Sequence, residues 1–135
     1  MTYLVDTNLV IRFITGSPGS QAQLAADFLK KGDRGEFAVQ FSPIVIAEVV
    51  FVLTGKVYSY PRAAVVEHLL EFIQNPSFKV LELEVLIEAL GLFRAHKIDF
   101  VDAYLAASAK QSGATVASFD KDFKKIKGLN PLILK

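Results

Sequence analysis

The sequence predicts an α/β fold, a three-layer α/β/α sandwich around a central parallel sheet of four to five strands. Two observations carry that expectation. Short strand-like apolar runs alternate with longer helical ones, and strands separated by helices pair in parallel through right-handed crossovers. The chain is also long and apolar enough for one core: 135 residues, 52% hydrophobic, with positive mean hydropathy. Disordered chains are kept open by the opposite composition. With no linker, repeat or low-complexity segment, residues 1–135 read as a single domain.

Tyr3-Leu4-Val5 reads as the first strand, followed directly by the apolar segment Leu9–Ile14. Gly16-Ser17-Pro18-Gly19 is a turn cluster. A helix is expected over Gln21–Lys31, with Leu24, Ala25, Phe28 and Leu29 on one face, ending at Gly32–Gly35. Phe37–Phe41 is the second strand. Ser42 and Pro43 suit the N-cap and first position of a buried helix. Pro61–Gln74 places Val66, Leu69, Leu70 and Ile73 on one helical face, and Asn75-Pro76 stops it. Phe78–Leu81 is the third strand, and Glu84–Lys97 a helix with Leu86, Ala89, Leu90 and Phe93 inward. Asp99 can cap a helix running to about Gln111 and closed by Gly113, whose Ala103, Ala106, Ala107 and Ala109 permit close packing. Thr115–Phe119 is the fourth strand and Leu132–Leu134 the fifth.

Composition narrows the function classes. No apolar run reaches the ~18–20 residues of a membrane span; the longest, Ile44–Leu53, is interrupted by Glu48. The start Met1-Thr2-Tyr3 lacks the basic residues and cleavage site of a secretory signal. No cysteine is present, which removes disulfides, zinc–thiolate sites and thiol nucleophiles. A soluble, cytoplasmic protein is expected. Net charge is only +1, so any contact with nucleic acid must use a local patch. Lys121, Lys124, Lys125 and Lys127 offer one, unless they are simply a solvated face. A Gly-rich phosphate loop, a His-Glu-x-x-His helix and a Gly-x-Ser-x-Gly elbow are all absent. His68 and His96 read as surface or boundary residues.

Four acids stand out because a carboxylate in an apolar segment loses hydration worth several kcal/mol unless paired or bound to metal. Asp6 lies between Leu4-Val5 and Leu9-Val10. Glu48 is the only charge between Ser42 and Thr54. Asp102 interrupts Phe100–Leu105, and Asp120 follows Val116–Phe119. Structural readings exist for each: an Asx-turn at Asp6, pairing of Glu48 with Arg12, a first-turn acid at Asp102, a cap at Asp120. Yet in a doubly wound sheet ligands bind beyond the carboxyl ends of the strands, where Asp6 and Asp120 stand. Two carboxylates ~5 Å apart repel by ~3 kcal/mol at an effective dielectric of ~20, and a divalent cation removes that cost. Oxygen-only donors select a hard ion such as Mg²⁺ or Mn²⁺, which can activate water and stabilise charge on a phosphodiester.

At these residues the sequence resembles the PIN-domain family, in particular VapC-type toxin ribonucleases. The matching stretches are Leu4-Val5-Asp6-Thr7-Asn8, Ser42–Val50, Asp99–Ala107 and Ser118-Phe119-Asp120-Lys121-Asp122-Phe123, in the family's order along nearly the whole chain. The resemblance implies an endoribonuclease in which Asp6, Glu48, Asp102 and Asp120 surround Mg²⁺ or Mn²⁺, supported by hydrogen bonds from Asn8 and Ser118. Many relatives have Thr at the Ser118 position, and either residue offers a hydroxyl. Asp99 either supports the metal site or caps its helix, and Asp122 has a structural role. Arg12, Lys121 and Lys124 are candidates to hold RNA. A homodimer and a small VapB-like antitoxin that blocks the acidic pocket are further implications. The alternatives are a non-catalytic PIN-like module that binds RNA or protein, and a haloacid-dehalogenase-type phosphatase. Asn8, where the phosphatases carry a second Asp, argues against the latter.

Overall fold

The computed structural model describes all residues, 1–135. Five strands form, every pairing is parallel, and helices alternate with them along the chain, as the α/β class requires. The hydrogen-bonded ladders are two, a three-stranded sheet and a two-stranded one. They fall in two compact units, Met1–Leu83 and Glu84–Lys135.

In the N-terminal unit the order is β1 (Thr2–Leu4), α1 (Thr7–Thr15), α2 (Gly19–Asp33), β2 (Ala38–Phe41), α3 (Pro43–Thr54), α4 (Arg62–Ile73) and β3 (Phe78–Val80). The sheet order is β1-β2-β3, with Tyr3 opposite Val39 and Phe41 opposite Val80. Each crossover therefore holds two helices. Val39 and Phe41, two residues apart, lie on one face and are fully buried. On that face Gly32 of α2 lies against Val39. Phe72 of α4 meets Phe41 edge-on at 5.0 Å between ring centroids. Tyr3, Phe28 and Phe37 form a second aromatic group, with centroids 4.9–5.4 Å apart.

α2 ends at Asp33, within the expected Gly32–Gly35 stop, with Gly32 inside its last turn, and two expectations change. Glycine is present because a Cβ would come within 2.5 Å of Val39 Cγ2. Leu24 does not face inward: it is 70% exposed, and the buried stripe of α2 is Ala25, Leu29 and Gly32. In α3, apolar almost throughout, Ile46, Val49, Val50 and Leu53 are buried, whereas Ile44, Glu48 and Phe51 occupy an exposed face.

The C-terminal unit contains α5 (Leu83–Ala95), α6 (Phe100–Ser112), β4 (Ala117–Ser118), a 3-10 turn (Lys121–Lys125) and β5 (Leu132–Ile133). β4 pairs with β5 in parallel. Leu86, Ala89, Leu90 and Phe93 of α5 and all four expected alanines of α6 are buried. Lys110 bonds Glu88 at 3.0 Å, and Gln111 Nε2 donates to Glu88 Oε1 and to the Glu84 carbonyl. Burial pushes the Glu88 carboxyl up, but the bonds from Lys110 and Gln111 and the lysine charge outweigh it and hold it below its ordinary value. Gly113 closes α6 in the left-handed conformation. No helix is long and apolar enough to cross a membrane.

Candidate functional site

Asp6 stands two residues beyond the carboxyl end of β1, where extended backbone turns into α1. It is the N-cap, and its Oδ1 accepts from the Leu9 N–H at 3.1 Å. Asp120 repeats the arrangement two residues beyond β4. It caps the 3-10 turn, and its Oδ1 accepts from the Asp122 N–H at 2.8 Å. The cap read at Asp120 is thus realised, whereas Asp6 caps its helix instead of forming an Asx-turn, and both carboxylates remain exposed. Ser118 secures the second turn, its Oγ accepting from the Asp120 N–H at 2.9 Å.

Asp102 lies in the first turn of α6 and is half-buried. Burial raises its carboxyl above the ordinary aspartate value, and the charges of Asp99, Asp120 and Asp122 raise it further. The helix dipole favours an anion at this position by typically ~0.3–1 kcal/mol, and burial and the three like charges act against it. Asp99 occupies the N-cap position of α6 with extended backbone, but its side chain makes no capping hydrogen bond. Asp122 accepts an ion pair from Lys125 at 3.1 Å, a structural contact. Lys121, Lys124 and Lys127 are exposed around it.

Glu48 departs from expectation. It is exposed on α3, and Arg12 is not its ion-pair partner. Arg12 Nε instead donates to Gln21 Oε1 at 2.8 Å. Gln21 was not singled out from the sequence. The two residues lie nine positions apart across the turn between α1 and α2, and no local spacing signals such a bond. Asn8 is exposed and lines a depression between those helices with Leu9, Arg12 and Gln21.

These donors suit a hard divalent ion. They are oxygens only, and in the C-terminal unit four carboxylates are near enough to raise the proton affinity of one of them, a field that a cation would relieve. As the side chains stand, no three His, Asp or Glu gather closely enough to hold an ion. Coordination therefore calls for rotation of side chains, which the exposure of Asp99 and Asp120 permits.

Comparison with known proteins adds one positive finding. A family model described as the PIN domain matches residues 3–129. Among curated proteins no match to the chain was found.

Proposed function

The chain belongs to the PIN domain family, whose members are generally nucleases needing metal ions. From that premise we propose that it is a Mg²⁺- or Mn²⁺-dependent endoribonuclease, acting as the toxin of a type II toxin–antitoxin pair. The observation that carries the reading is the acid group of the C-terminal unit, in a chain matched by the family over residues 3–129.

Residues 1–135 act as one nuclease domain in this reading. Asp6 and Asp102 hold the metal, Asp120 completes the acidic set, and Glu48 holds a second ion or orients the attacking water. When bound, a divalent ion supplies charge stabilisation at the phosphodiester and acidifies water. Attack in line forms a new P–O bond to water while the P–O bond to the leaving oxygen breaks. Asn8, Ser118 and Asp99 support the acids; Arg12, Lys121 and Lys124 hold the RNA backbone and offset its charge. Toxin function, a VapB-like antitoxin and a homodimer rest on the resemblance of four stretches to VapC-type toxins, and a cytoplasmic location rests on composition.

The test is cleavage of RNA, structured RNAs such as tRNA included, by purified protein with Mg²⁺ or Mn²⁺. EDTA and Asp6→Asn are the controls. Cleavage that disappears in both is expected. A protein that cuts no RNA and takes up no metal in calorimetry would instead be the non-catalytic binding module.

A further inference from the structure

The depression beside Asn8 has a volume of about 290 Å³, near the lower end of the range for small-ligand clefts. Its lining is largely apolar, with Leu9, Leu24, Ala25 and Phe28, and includes one cation, Arg12. Leu24 is 70% exposed, which is why α2 departs from the buried stripe expected there. Asn8 and Arg12 are four residues apart on α1 and so share one helical face. Arg12 lies six residues beyond Asp6, about 9 Å along the axis at ~1.5 Å per residue. Arg12 is also turned about 120° round the helix from Asp6 at ~100° per residue, so it faces a neighbouring nucleotide rather than a phosphate held at Asp6.

The Arg12 guanidinium has a neutral hydrogen-bond partner. Gln21 Oε1 takes the Nε–H, and no carboxylate neutralises the charge. The terminal N–H groups are thereby presented as a planar fork, the geometry that matches phosphate oxygens. A fork for phosphate beside an apolar lining fits a nucleotide whose base is free to leave its stack.

We propose that Arg12, Leu24 and Phe28 form a subsite for an unpaired nucleotide next to the scissile bond, with Gln21 as the positioning residue of Arg12. The proposal rests on the nuclease reading for its role in catalysis, but binding tests it separately. Anisotropy of a labelled, unstructured oligoribonucleotide is titrated in EDTA with the wild type, Arg12→Ala, Gln21→Met, the double variant and Leu24→Asp. Gln21 and Leu24 are exposed, so these variants retain the fold. Arg12→Ala is expected to weaken binding about tenfold and lower the slope of log K against log salt by about 0.7, one phosphate contact on a single strand. Gln21→Met should weaken binding in the wild type and have no further effect once Arg12 is gone. An oligomer with abasic positions should bind the wild type about tenfold more weakly and be indifferent to Leu24→Asp. Additive effects of Arg12→Ala and Gln21→Met, an unchanged salt slope, or no binding by the wild type would each overturn the subsite. Failure of the nuclease reading shows instead as absent cleavage with Mg²⁺ or Mn²⁺ while these binding differences persist.

Discussion

Asp102 is the acid whose surroundings most oppose its charge. Burial and its three acidic neighbours raise its proton affinity in the folded chain, so the folded state binds this proton more tightly than the unfolded state does. Stability is therefore lost as pH rises through the ordinary aspartate value of about 3.9 and the higher folded value. Asp102→Asn, which cannot ionise, is expected to raise the melting temperature by a few degrees at neutral pH without metal. The gain should shrink below about pH 3.9, where the wild-type carboxyl is protonated too. A melting temperature that falls at neutral pH would mean that the helix dipole, rather than repulsion, governs this position. Asp6 and Asp120 differ in kind, because each spends one carboxylate oxygen on a backbone N–H. Their placement after strand ends was legible in the sequence. The Arg12–Gln21 bond was not, because it depends on how α2 folds back on α1.

At the scale of the element, α2 is held to β2 by an absent side chain. Gly32→Ala would drive a Cβ to 2.5 Å from Val39 Cγ2, and Val39 is fully buried beside Phe41 with nowhere to retreat. Overpacking of this kind costs ~1–3 kcal/mol, against which the helical preference for alanine returns ~1 kcal/mol. A net loss of about 2 kcal/mol at most is expected in chemical denaturation, with the denaturant slope unchanged. A stabilised variant would show that α2 can lift from the sheet at no cost. The same contact explains why glycine stands in the last turn of the helix, at the start of the expected stop. In α5 and α6 the sequence pattern was sufficient. Leu86, Ala89, Leu90 and Phe93 and the alanines of α6 recur at helical spacing, and all are buried. In α3 it was not, since a nearly uniform apolar run has no weak face to mark as exposed; burial fell on Ile46, Val49, Val50 and Leu53, leaving Glu48 to solvent.

For the whole molecule, a resident cation is a folding ligand by mass action. If the acids hold Mg²⁺ or Mn²⁺, saturating metal stabilises the native chain, by about 2.7 kcal/mol at a hundredfold excess over Kd. Thermal melts should rise with Mn²⁺ or Mg²⁺ and return on EDTA, and Asp102→Asn should lose most of the response. A wild-type melt indifferent to both ions would remove the metal from the scheme. The near-zero net charge meanwhile means that any contact with nucleic acid must use a local patch. By itself the sequence determined the α/β class, the order of all five strands, the strand-end positions of Asp6 and Asp120, and the apolar faces of the regularly patterned helices. These follow from local periodicity, capping chemistry and chain order. Only the tertiary structure decided which acid is desolvated, which glycine is a close contact, and which residue steadies Arg12. Burial and side-chain partnership depend on residues distant in sequence, and no local pattern encodes them.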